Sequence, residues 1–167
     1  FSGKDIINRA AHFAGGRMLV SPEFSSEKYS VELWFWNGLP ADVRNTTGNL
    51  FACGDRLSIG GKNGSAGRLI LSAAKGEELT GQKEIPLKQW NHLVLTRDDR
   101  KVTVYLNGSV EITGETAIPE PSACDNVFIG GDIDNKANFE GKLDEVAIYK
   151  RALTAQEVVA HFKISCM

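Results

Sequence analysis

An all-β sandwich with one short C-terminal helix is the fold class this sequence predicts, on three observations. Turn signals built from Gly, Asn and Asp recur at short intervals. The segments between them alternate apolar and polar residues, and only one stretch carries the punctuation of a helix. With 167 residues, 42% hydrophobic and 24% charged, the chain is long enough for a single domain over residues 1–167 with a sizeable core.

The segment up to Val20 is compatible with a helical turn, but the Gly15-Gly16 pair favours a strand and hairpin from about Ala11. "KYSVELWFWNG" reads as a strand with Val31, Leu33 and Phe35 on one face and Glu32, Trp34 and Trp36 on the other. "NLFACG" and "RLSIGG" are short strands parted by Gly54 and Asp55, and "GRLILSAAKG" follows a flexible turn in "GGKNGSAG". Asp98-Asp99-Arg100 and Asn107-Gly108 are hairpin signals that make three antiparallel strands of residues 90–113. "NVFIGGD" and "KLDEVAIY" are two more strands, joined by a polar loop from Asp132 to Asn138. Thr154 and Glu157 form a capping box, and Val158, Val159 and Phe162 give the helix behind it an apolar stripe.

One position in this reading needs an explanation. Strand alternation puts Asp144 on the same side as Val146 and Ile148. If that side is buried, the carboxylate needs backbone donors, a cation or a counter-charge, because desolvating it alone costs several kcal/mol, roughly.

The totals exclude several classes. A net charge of -2 and a pI near 6.0 leave no basic footprint for nucleic acid. The apolar runs are too short for membrane insertion. The N-terminus has neither a signal peptide's apolar core nor an initiator Met, so a mature chain or a fragment of a larger protein is expected. Cys53, Cys124 and Cys166 have no zinc spacing. A Cys53 to Cys124 disulfide would suit an exported protein, but small thiols are the reading these residues favour. Sequons at Asn45, Asn63 and Asn107 are what chance supplies.

No catalytic constellation is present in the sequence. The paired carboxylates in "LDEV" and "GEEL" are adjacent, so each pair splits across the two faces of a strand. There is no G-x-S-x-G, H-E-x-x-H or phosphate loop. His12, His92 and His161 are far apart, and His92 reads as a hydrogen-bonded structural histidine. The expectation is a chain that is not an enzyme.

Taken together, "YSVELWFW", "WNHLVLTRDDRKVTVYLNGSVE", "VFIGGD" and "FEGKLDEVAIYKRALTAQEV" resemble the laminin-G-like jelly-roll family of the concanavalin A-like lectin and glucanase superfamily, over roughly residues 13–162. The resemblance implies two curved antiparallel sheets, with ligands taken at the concave face or on its rim, in a module of a larger exported protein. The E-x-D-x-x-E motif of the glucanases is missing. In relatives the aspartate of G-x-x-D-E lies near the N-terminal strand and in a number of them helps hold calcium. Here that is Asp144, with Asp5 as a second metal ligand; the alternative is a buried acceptor for the backbone N–H groups of a neighbouring loop.

Asp132, Asp134 and Asn135 lie on a connection that in relatives helps form the binding rim. Lys136 breaks the calcium-loop pattern there, so a solvated polar turn is expected. Trp36 is a candidate sugar platform, Trp34 is expected to pack under a crossing loop, and Trp90 to be core. Arg44, Arg56 and Arg68 could pair with acidic groups on a glycan. These residues point to a non-catalytic carbohydrate-binding module for a polysaccharide or glycan, with calcium as an expected aid. The alternative is a domain that binds another protein and has no sugar site.

Overall fold

Apolar residues at every second position must find a common interior, and they do so by closing twelve strands into two facing sheets. The computed structural model describes residues 9–165. Its strands are β1 (Ala11–Ala14), β2 (Met18–Val20), β3 (Lys28–Asn37), β4 (Thr46–Ala52), β5 (Arg56–Gly61), β6 (Gly64–Ser72), β7 (Glu78–Glu84), β8 (Trp90–Asp98), β9 (Lys101–Leu106), β10 (Ser109–Glu115), β11 (Val127–Ile129) and β12 (Glu140–Tyr149), followed by α1 (Ala155–Ser165). The first sheet runs β1-β12-β3-β8-β9-β10 and the second β2-β11-β4-β5-β6-β7. Every pairing between strands is antiparallel. The two-sheet jelly-roll sandwich with a single C-terminal helix is the fold expected from the sequence.

The core lies between the sheets. Val31, Leu33 and Phe35 of β3 meet Leu57 and Ile59 of β5, Leu69 and Leu71 of β6, and Leu93 and Leu95 of β8 in one buried cluster. β7 is the strand that the sequence reading lacks. "ELTGQKE" is poor in β-branched and aromatic residues, and its strand state depends on its neighbours. On one side it pairs with β6. Elsewhere the buried Glu111 carboxylate of β10 accepts the N–H groups of Gln82 and Lys83 at 2.6 and 2.7 Å, amides that would otherwise be open to another chain.

The alternation of β8 continues inward to a charged residue. Arg97 follows Leu93 and Leu95 on the core face and is fully buried. Its Nε and one Nη donate to the two carboxylate oxygens of Asp55, each at 2.7 Å. It also donates to Thr116 Oγ1 at 2.8 Å and to the carbonyl of Asp99 at 2.8 Å, while the Tyr29 hydroxyl donates to Asp55 at 2.6 Å. Burial, with the Asp55 charge beside it, pushes the Tyr29 pKa well above its ordinary value. The pair survives in the interior because nearly every lone pair and N–H has a partner.

Next to this cluster the expectation of free thiols fails. Cys53, at the end of β4, is joined to Cys124 in the turn before β11 by a disulfide spanning 71 residues. Spacing alone could not show that the two strand ends meet with Cα atoms 4.7 Å apart.

The helix starts where the capping box puts it. Glu157 N–H donates to Thr154 Oγ1 at 3.3 Å, and Thr154 N–H to the Glu157 carboxylate at 2.8 Å. Val158 buries against Val94 and Tyr105 on the outer face of the first sheet. Beneath the helix, Glu32 is bonded to His92 Nε2 at 2.7 Å, to His161 Nδ1 at 3.0 Å, and by the Tyr149 hydroxyl at 2.8 Å. His92 is thus the hydrogen-bonded structural histidine expected. Trp34 is covered as expected, although the cover is Phe162 of α1 rather than a loop.

Burial alone would raise the Glu32 pKa, but the bonds from His92, Tyr149 and His161 outweigh it and hold the carboxyl down at about 2. Burial and the same carboxylate push Tyr149 up to about 12. A depressed carboxylate stabilises the fold above its unfolded pKa, and that contribution disappears as pH falls through the folded one. Wild type is therefore expected to lose on the order of 3 kcal/mol of Glu32-dependent stability between about pH 4.5 and pH 2. In urea melts, Glu32→Gln should be the less stable protein at pH 7, with the gap closing across that window. A gap that stays constant with pH would refute the account.

Candidate functional site

The outer face of the second sheet carries a cavity of about 580 Å³. Its floor follows from strand alternation. Leu57, Ile59, Leu69 and Leu71 point into the core, which leaves Arg56 and Ser58 of β5 and Ile70 and Ser72 of β6 facing outward beside Asn49 of β4 and Glu78 of β7. One wall is the segment Val43–Thr46 with Lys62; the other is Asp134, Lys136 and Ala137.

Both walls are tied down. Arg44 Nε donates to the carbonyls of Thr46 at 3.0 Å and Thr47 at 2.9 Å, and its Nη1 pairs with Glu140 at 2.9 Å. Its Nη2 donates to the carbonyls of Thr47 and Asn138, so one guanidinium holds the two walls together. Asn49 N–H donates to the Ala137 carbonyl at 2.8 Å. Gly48 is required beneath this loop, because a Cβ there would lie 2.9 Å from the Phe139 Cα. Arg56 pairs with Asp132 at 3.1 Å, and the Asn138 side chain donates to Asn135 Oδ1 at 2.7 Å and to the Gly15 carbonyl at 2.6 Å.

The candidate residues therefore divide. Arg44 and Asp134 line the cavity, while Asp132 and Asn135 build the loop behind its wall. The turn of residues 132–136 is folded on itself as a polar turn, with Asp132 and Asp134 accepting the N–H groups of Ile133 and Lys136. Arg44, the expected partner for an acidic glycan, spends its donors on the protein. Trp36 does not reach the cavity. It stands on the outer face of the first sheet, paired in register with Trp90, and the Lys142 ammonium lies 5.2 Å from its ring centre. Trp90 is not core but 42% exposed.

Asp144 also differs from the expectation. Between Asp144 and Ala147 the β3–β12 register shifts, with Asp144 opposite Trp34 and Ala147 opposite Glu32. Glu145 and Val146 together face Leu33, a bulge that changes the phase of the strand. Asp144 thus stays on the outer face with Lys142, while Ile148, beyond the bulge, packs against the core. The half-buried carboxylate accepts the Glu145 N–H at 3.0 Å, where Glu145 has φ +49°. The acid sits inside an apolar run without being buried among it, because the bulge separates its face from that of Ile148. No group of three or more His, Cys, Asp or Glu that could hold a metal occurs among the described residues. Calcium needs a shell of roughly six to eight oxygens, and Asp5, the second ligand expected, lies outside the described residues.

The residues missed in the sequence are Asn49, Ser58, Ile70, Ser72, Glu78, Lys62 and Lys136. A signal for three of them was present, since "RLSIGG" and "GRLILS" alternate buried aliphatics with Ser58, Ile70 and Ser72. Which outer face is hollow was not readable from that pattern.

The profile of the concanavalin A-like lectin/glucanases superfamily matches residues 15–159. Domain 4 of AbnA, a GH43 extracellular arabinanase from Geobacillus stearothermophilus solved with arabinotriose, is 26% identical; it covers 96% of this chain and 78% of that one with a TM-score of 0.69. The CBM40 of the Ruminococcus gnavus IT-sialidase, solved with α2,3 sialyllactose, is 16% identical, covers 93% of this chain and 97% of that one with a TM-score of 0.72, and shows the shared fold. Mouse pappalysin-1 is 34% identical over 77 residues, which is 43% of this chain and 5% of that protein's length. The match thus spans a small part of pappalysin-1.

Proposed function

The chain belongs to the concanavalin A-like lectin/glucanases superfamily, and on that premise we propose that it is a non-catalytic carbohydrate-binding module that takes a glycan in the cleft of its second sheet. The observation that carries this reading is the cleft itself: an open hollow with a polar floor on a rigid sheet, between walls already held in place. Asn49, Ser58 and Ser72 can exchange hydrogen bonds with sugar hydroxyls, and Ile70 offers the ring a small apolar contact. Lys62 and Lys136 have no carboxylate within ion-pair distance among the described residues, which leaves their ammonium groups available as donors.

Several points support the reading. The arabinanase domain of the same fold was solved with an arabinose oligosaccharide. Glu78 and Asp134, the two carboxylates of the lining, come from separate elements, and no histidine is among the lining residues. Without an aromatic ring in the cleft, affinity rests on hydrogen bonds worth about 0.5–1.5 kcal/mol each, so binding is weak. The Cys53–Cys124 disulfide suits an oxidising compartment, and an exported location fits the extracellular arabinanase.

The test is calorimetric titration with arabinotriose and a panel of neutral and acidic oligosaccharides, run with calcium and with EDTA because calcium dependence is part of the question. At least one sugar is expected to bind, and Lys62→Glu with Lys136→Glu, both surface positions, to weaken it about tenfold. Full affinity in that double variant, or no binding across the panel, would overturn the cleft assignment.

A further inference from the structure

All three tryptophans of the chain, Trp34, Trp36 and Trp90, stand on the outer face of the first sheet, away from the cleft. Register places His12, Lys142, Trp36 and Trp90 in one row across β1, β12, β3 and β8. Asp144 and Trp34 are opposite one another in the next row. The helix covers part of this face, where Phe162 stacks on Trp34 with ring centres 6.0 Å apart and on His92 at 5.8 Å. Among the described residues, no aromatic ring of the helix stacks on the Trp36–Trp90 row. Trp90 is left 42% exposed, and Trp36 is half-buried with the flexible Lys142 side chain over its ring.

We propose that this row is a second carbohydrate-binding site, independent of the cleft, in which a pyranose ring stacks on Trp90 and Trp36. Lys142 and His12 donate to its hydroxyls, and Asp144 accepts from them. Two features select a sugar over a protein partner. Two tryptophans offer at most about 300–500 Å² of contact, well short of the ~800 Å² per partner of a stable protein interface. The surround is charged in both signs, with Lys142 and Asp144 on the same strand, whereas the centre of a protein interface is depleted of charge. An aromatic plane edged by donors and an acceptor matches a ring with one C–H face and a rim of hydroxyls.

The site has a built-in reporter. Because every tryptophan lies on this face, their fluorescence responds to occupancy here and not to the cleft. The experiment titrates the intact chain with cellohexaose, xylohexaose and mannohexaose while following tryptophan emission, alongside pull-down on insoluble cellulose and xylan. A saturable emission change with at least one oligosaccharide is expected. It should weaken about tenfold in Trp90→Ala, an exposed position whose loss leaves the core intact, and also in Trp36→Ala. It should persist in the Lys62→Glu, Lys136→Glu cleft variant. No saturable change with any of the three sugars overturns the proposal, as does unchanged affinity in Trp90→Ala. If sedimentation shows self-association of the wild type that Trp90→Ala abolishes, the row is a contact between copies and the proposal fails. Loss of the response in the cleft variant would mean one site rather than two.

Discussion

Asp55→Ala is expected to destabilise the domain by about 3–5 kcal/mol, because it leaves a guanidinium buried without its counter-charge. Arg97 is fully buried, and two of its bonds end on Asp55, each at 2.7 Å. The Tyr29 hydroxyl loses its acceptor at the same time. The asymmetry of buried pairs gives a control. Removing both charges, as in Asp55→Ala with Arg97→Met, should cost less than Asp55→Ala alone, since no isolated charge remains. Urea unfolding of the three proteins measures this. A double variant less stable than the single one would show that the guanidinium was never stranded.

Removing the disulfide is the second large effect. A cross-link spanning 71 residues restricts the unfolded chain by about 4 kcal/mol on the chain-entropy estimate. For a chain of this size that corresponds to a fall in melting temperature on the order of 10 °C. The Cys53→Ala, Cys124→Ala variant should show it without reductant, and wild type in dithiothreitol should show a similar fall. If the double variant melts with wild type, the link contributes nothing, and the neighbouring hydrogen bonds hold this end of the sandwich unaided. The two effects are expected to couple, because Asp55 lies two residues beyond Cys53 and the Cys53 N–H donates to the Asp55 carbonyl at 2.8 Å.

The contrast between these two features shows what a sequence can reveal. Regular alternation exposed most of the strands, and Asn107-Gly108 and Thr154 with Glu157 marked a turn and a helix start, because these are local preferences. β7 escaped because its strand state comes from β6 and from the Glu111 carboxylate, not from its own residues. The β12 bulge escaped because period-two reasoning assumes an unbroken phase, and one extra residue at Glu145–Val146 moves Ile148 to the opposite side from Asp144. Arg97 sat on the apolar face in plain view, but its partner is 42 positions away.

The candidate site was less legible than the fold for the same reason. Arg44 and Asp134 were found because polar residues on loops attract notice. Alternation put Trp36 on one face of β3 with Glu32 and Trp34, but it does not say which face of a sandwich is hollow, and the cleft lies on the other sheet. Ser58 and Ser72 passed unnoticed because an outward serine on a strand looks the same whether it faces open solvent or a cleft.

The loop from Asp132 to Asn138 is anchored to four separate parts of the chain, through Arg17, Arg56, Asn49 and Arg44. An occupant of the cleft therefore meets a finished wall. Its arrival is limited by diffusion and orientation rather than by waiting for a lid to close, and its departure requires no reopening. Contacts that are individually weak then yield rapid exchange, so under the proposed function a chain bearing this module would release and rebind neighbouring sugars quickly while remaining near the same polymer.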